Sequence, residues 1–101
     1  MRLYAGVPGT SWATAYTAAT ELRELTVVFA NTTGSDATVS VKIVPKVAMP
    51  ASEFVVVPEV NVAGHSTAIL EYPIAVYTGD AVSVKQGTSS ACSVIIEGAP
   101  S

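Results

Sequence analysis

Few groups in this chain could do chemistry: one histidine, one cysteine and a scatter of carboxylates and amides. His65 stands in the turn sequence Ala63-Gly64-His65-Ser66. A catalytic histidine needs a nucleophile to deprotonate and a carboxylate to orient it, and a zinc site needs further nitrogen or sulfur ligands. Nothing near His65 in the sequence supplies either, which leaves a histidine on a surface turn. Cys92 takes an inward position of an alternating segment, where a cysteine acts as a small core residue; a reactive thiolate needs an electropositive, partly exposed setting. Asp36 and Asp80 each sit at a turn into a strand, where a carboxylate bonds backbone N–H groups. Glycosidase chemistry would need two carboxylates held about 5 to 9 Å apart, and calcium a denser run of oxygen ligands than either turn offers. Asn31-Thr32-Thr33 fits the N-glycosylation pattern, but turn chemistry explains all three residues. No catalytic, cofactor or metal residue is assigned, and the chain reads as a non-enzyme.

The elements that would carry these residues are strands. In Ala37 to Ile43, the residues Ala37, Val39, Val41 and Ile43 alternate with Thr38, Ser40 and Lys42, the period of two of a strand with one buried face. Leu25 to Asn31 precedes it, with Leu25, Val27 and Phe29 on one side. The intervening Thr32-Thr33-Gly34-Ser35-Asp36 is rich in turn residues and predicts a hairpin. Pro45, Pro50 and the small residues between them suit a crossing between sheets better than a ladder. Further strands are expected at Glu53 to Val57, closed by Pro58, and at Ser66 to Tyr72, closed by Pro73. Two more follow, at Ala81 to Lys85 with Val82 and Val84 inward, and at Ala91 to Glu97 with Cys92, Val94 and Ile96 inward. Turn signals about every 8 to 12 residues predict a seven- to eight-stranded antiparallel β-sandwich, with jelly-roll and immunoglobulin-like strand orders both open.

Residues 1 to 20 are the least regular part, with Tyr4, Trp12 and Tyr16 set among Gly, Pro, Ser, Thr and Ala. They are expected to form an extended N-terminal arm, with a short strand near Arg2 to Val7 left open, lying on a neighbouring subunit and anchored by those three aromatic side chains, with 21–101 as the sandwich domain; the alternative is that the arm adds an edge strand to its own sheet. The alanine-rich run from Trp12 to Leu25 leaves a helical turn open, although its threonines work against one. Val28, Val44, Val55, Val57 and Ile95 are apolar at nominally outward positions, which points to a contact with another chain.

With 101 residues there is room for one domain, which buries roughly 65% of its unfolded surface. Five basic residues against eight acidic give a net charge of -3 and are spread along the chain, so nucleic acid is not an expected partner. No apolar run approaches the ~20 residues of a membrane helix, and the first apolar run is broken by Gly6 and Pro8 before it could serve as a signal sequence. A single cysteine excludes an intrachain disulfide and suits folding in a reducing compartment.

Four blocks in order carry a resemblance. Glu24 to Lys42 holds a strand ending in Asn31-Thr32-Thr33 and then a second alternating strand. Val60 to Leu70 offers a turn of small residues before a strand, Tyr77 to Val84 contains a Gly79-Asp80 turn, and Cys92 to Gly98 closes on Glu97-Gly98. In this order the chain resembles a family of small virion proteins of tailed bacteriophages, over about residues 20–98. In place of the Val-Pro-Ala-Gly turn that such proteins often carry before the first strand, it has Thr17-Ala18-Ala19-Thr20-Glu21. The resemblance implies a structural protein attached to capsid or tail, with head decoration favoured. It implies other virion subunits and further copies of itself as partners, and assembly in the host cytoplasm. A tail or fibre module that recognises a host-surface receptor or glycan is the alternative. The later loops, residues 45–52, 61–65 and 86–90, hold no aromatic group for a sugar to stack on, which favours assembly.

Overall fold

The computed structural model describes residues 2–44, 54–73, 75–88 and 91–100, with the backbone alone for 54–58 and Pro100. Eight strands are present: β1 (Arg2–Gly6), β2 (Ala13–Thr17), β3 (Leu22–Asn31), β4 (Ala37–Val44), β5 (Phe54–Val62), β6 (Thr67–Tyr72), β7 (Ala81–Gln86) and β8 (Cys92–Pro100). They form two four-stranded antiparallel sheets, the first in the order β1-β8-β3-β6 and the second in the order β2-β7-β4-β5. The sheets pack as a sandwich. Its shortest extent of 18 Å accommodates two sheets about 10 Å apart and their outer side chains.

The core follows the alternation. Leu25, Val27 and Phe29 of β3 and Cys92, Val94 and Ile96 of β8 face Val39, Val41 and Ile43 of β4 and Val82 and Val84 of β7, all buried. Ala68, Leu70 and Tyr72 of β6 pack against this cluster from the sheet edge. Their opposite-parity neighbours lie on the outer faces, where Ser40 and Ser83 are nonetheless buried, and the core forbids the one-residue slip that would turn every apolar side chain outward.

Two connections are the reverse of what local turn chemistry suggests. β3 and β4 do not form a hairpin; they lie in different sheets, and residues 32–36 arch between them. β4 and β5, by contrast, pair along one sheet, so the proline-rich connection expected to cross between sheets joins neighbours; residues 45–53 themselves lie outside those described. Asn, Thr, Gly and Asp favour any tight reversal, whether the strands then pair or face each other across a core. Pro58 does not end β5 either. β5 is an edge strand, and its register skips from Val60 opposite Val39 to Val57 opposite Val41, an irregularity that tolerates a residue without an N–H.

The expected arm is also corrected. Instead of leaving the sandwich, Arg2–Gly6 pairs with β8 and Ala13–Thr17 pairs with β7, each as an edge strand. The stretch from Trp12 that left a helical turn open is therefore strand. Tyr4 and Tyr16, proposed as anchors on another chain, pack against this chain's own core. Short terminal strands whose aromatic side chains can be buried at home lower the free energy without a partner.

At the corner between β1 and β2 the buried Gln86 makes the connection. Its Nε2 donates to the carbonyls of Pro8 and Cys92, its Oε1 accepts the Cys92 N–H at 2.8 Å, and its backbone N–H donates to Gly9 at 3.0 Å. Gln86 belongs to the second sheet and Cys92 to the first, so one carboxamide ties both sheets and the β1–β2 corner together. Deleting residues 2–17 strips an edge strand from each sheet and leaves Gln86 without its Pro8 acceptor. The truncated protein is expected to lose cooperative thermal unfolding. A sharp melt of the truncated chain in isolation would restore the arm.

Candidate functional site

Connections β1–β2, β3–β4, β5–β6 and β7–β8 gather at one end of the sandwich. Gln86 N–H bonds Gly9 there, Thr32 N–H bonds Ala91, and His65 N–H bonds Thr33. Asn31 is the centre of this end. It is buried, its Nδ2 donates to Ser35 at 2.8 Å and to Val62 at 2.9 Å, and its Oδ1 accepts the N–H and hydroxyl of Thr33 at 3.0 and 2.8 Å. Both donors and both acceptor positions of the amide are filled. The nitrogen that a glycan would occupy is thus committed inside the protein, and the sequon is a structural turn.

The other residues singled out for chemistry serve the same loops. The Asp36 carboxylate accepts the Gly64 N–H and the Asn61 side-chain amide, both at 3.3 Å. Gly64 lies against Gly34 so closely that a Cβ there would fall 2.5 Å from the Gly34 carbonyl carbon. His65, exposed, takes φ of 55°, a left-handed turn conformation in which His is several-fold enriched among non-glycine residues. Asp80 accepts the Tyr77 N–H at 3.1 Å and shapes the turn into β7. Cys92 is buried beneath the Gln86 amide, and burial pushes its thiol above the ordinary range. Among the described residues, no three His, Cys, Asp or Glu side chains group as metal ligands would.

The outward apolar positions fare unevenly. Val28 of β3 and Ile95 of β8 are direct cross-strand partners on the outside of the first sheet. Val44 lies on the second sheet, across from Ala81, so the five positions expected to share one contact are split between opposite faces. Val55 and Val57 take register positions opposite Lys42 and Val41 on β5, and their side chains lie outside those described. Trp12 is half-buried on the second sheet, with Lys42 Nζ 4.5 Å and Lys85 Nζ 4.9 Å from its ring centre. Two ammonium groups held by the indole quadrupole fasten the start of β2 to β4 and β7.

What the sequence reading missed is that the pair Val28–Ile95 extends into a row. Ala5 stands opposite Ile95, and Ile69 opposite Val28, so Ala5, Ile95, Val28 and Ile69 run side by side across all four strands of the first sheet. Ile69 is 62% exposed and Val7, just past β1, is 55% exposed. The outward parity of Ile69 was legible from its neighbours Ala68 and Leu70; the alignment of four strands was not. Among the described residues, the second sheet's outer face is more polar: Thr14, Ser40, Lys42, Ser83 and Lys85 occupy it together with Trp12, Ala81 and Val44. Comparison with family models, with curated proteins and with solved structures finds no match to this chain.

Two outcomes follow from this geometry. Asn31→Ala takes the amide donor from the Ser35 and Val62 carbonyls, of which Ser35 keeps the Thr33 hydroxyl, and takes the acceptor from the Thr33 N–H, a loss of about 2–4 kcal/mol in urea unfolding; a variant within 0.5 kcal/mol of the parent, on the order of a surface change, would remove Asn31 from the centre of the loop end. Cys92 gives a pH signature. With its folded pKa raised, the unfolded thiol ionises first, so the associated stability is present below the ordinary value of 9.0 and falls as pH rises through it. Urea melts between about pH 8 and 10 should show the parent losing stability relative to Cys92→Ala; parallel curves would contradict the raised pKa.

Proposed function

We propose that this chain is a non-enzymatic structural protein of a bacteriophage virion, attached to capsid or tail, with the outer face of its first sheet buried against another subunit of the assembly and head decoration the favoured place. The observation that carries the reading is the apolar row Ala5, Ile95, Val28 and Ile69 on a face that solvent would otherwise cover. Ala5 and Ile69 are exposed and Val28 and Ile95 half-buried, and apolar side chains gathered in line on one face in this way mark a contact in an assembly. The order of sequence blocks that resembles tailed-phage virion proteins supplies the setting.

The sandwich is further read as a jelly roll. Its ladders pair β1 with β8, β2 with β7, β3 with β6 and β4 with β5, the nesting produced when one long antiparallel ribbon folds over on itself into two Greek keys. That nesting supports the jelly-roll order over the immunoglobulin-like one. A receptor- or glycan-binding role is less well supported, because the half-buried Trp12 ring is engaged by Lys42 and Lys85, which leaves Tyr77 as the exposed aromatic among the described residues on which a sugar could stack.

The test is incorporation. Ile69→Lys is expected to leave a protein that melts like the parent, since Ile69 is exposed and outside the core, yet is lost from purified particles. Electron microscopy of particles carrying a tagged parent chain should place it on the head shell or tail. A chain absent from every purified particle would end the structural reading.

A further inference from the structure

The apolar row is flanked by a charged one. Arg2 pairs with Glu97, Glu97 with Thr26, and Thr26 with Glu71, so this row runs from a guanidinium on β1 through Glu97 and Thr26 to a carboxylate on β6. Thr26, Glu71 and Glu97 face outward on the parity of Val28, Ile69 and Ile95, Arg2 comes opposite Glu97 through the shift in register between Arg2 and Tyr4, and the two charged ends are exposed. On the other side of the apolar row lie Ser93, Ala30 and Thr67, which carry no charge. The charges on this face are thus of opposite sign at its two edges, in register across the sheet.

We propose that the occupant of this face is a second copy of the same chain, stacked sheet on sheet about a two-fold axis parallel to the strands and passing between β8 and β3. This deepens the assembly reading above and rests on its assignment of the first sheet as the contact face. Such an axis exchanges left and right edges. Ala5 then meets Ile69 of the other copy, Ile95 meets Val28, and Arg2 meets Glu71, each contact occurring twice. Glu97 meets Thr26, and Glu24, whose cross-strand partner is Ala99, meets Ala99, so no carboxylate faces a carboxylate. A two-fold axis along the apolar row instead would set the charged row against Ser93, Ala30 and Thr67 and bring Arg2 no counter-charge from the other copy, leaving it only Glu97 of its own sheet. Charge complementarity therefore selects one arrangement. With an apolar strip one residue deep, the contact belongs at the small end of the interface range, which makes the dimer reversible and its dissociation constant measurable.

Sedimentation equilibrium of the full chain at low salt tests this. The parent is expected to dimerise with rising concentration. Arg2→Glu and Glu71→Arg each raise Kd roughly tenfold, because a like-charge contact then occurs twice, while the double variant returns Kd to near the parent value. Circular dichroism melts of each variant confirm that the sandwich is intact, as expected for exposed positions. A chain that remains monomeric at about 1 mM, weaker than any specific contact of this kind, overturns the proposal. So does a double variant as weak as the sum of the singles, which would rule out the Arg2–Glu71 juxtaposition. Loss of particle incorporation by Ile69→Lys in a chain that never self-associates would give the face to a different virion protein, ending this inference while leaving the assembly role standing. Rescue by the charge swap in a chain absent from virions would do the opposite.

Discussion

Two buried carboxamides stand where the peptide ladder cannot. Every connection at the loop end carries the chain from one sheet to the other, and a strand that leaves its sheet takes N–H and C=O groups away from their ladder partners, those around the buried Asn31 and Gln86 out of reach of water. Asn31 and Gln86 meet that demand from opposite sheets, Asn31 reaching from β3 to the Val62 carbonyl of β5 and Gln86 from β7 to Cys92 of β8. Unpaired buried groups cost about 1–3 kcal/mol each, so the arches depend on these side chains more than on the turn residues around them. The valine-rich core supplies most of the stabilisation, but it is indifferent to which strand follows which. The amides are not.

That division explains what could be read from the sequence. Strand existence and inward parity were legible from residue chemistry, because Ala37 to Ile43 and Cys92 to Ile96 alternate with a period of two that only a half-buried strand requires. Pairing was not. The 32–36 arch and a hairpin call for the same Asn, Thr and Gly, and no local feature distinguishes a strand's neighbour in its sheet from its neighbour across the core. The first twenty residues misled for a related reason: β1 and β2 are held by partners more than 60 residues away, Glu97 and Val84 among them, so their own composition reads as loop.

The candidate site shows the same limit. Val28 and Ile95 stood out as apolar at outward positions, but Ile69 and Ala5 acquire significance only when four strands are set in register. Conversely, Trp12 and Tyr16 carry the composition of an interface, and the protein spends them on itself: Trp12 under two lysines, Tyr16 against the core with its hydroxyl near the Ala19 N–H at 3.4 Å. The in-line apolar row of the first sheet's outer face is a property of the tertiary arrangement.

The nested pairing has a consequence for how the chain is made. β8, the last strand to be synthesised, lies between β1 and β3 in the interior of the first sheet, so on a ribosome that sheet has no centre until translation reaches Cys92 and beyond. Until then β1 has no ladder to join, the corner at Pro8 lacks the β8 half of the Gln86 tie, and β3 offers a bare valine-rich edge. Long-range pairing of this kind slows folding and prolongs the exposure of unpaired strands. The chain is therefore most vulnerable to misassociation on the polysome, before any of its finished surfaces exist.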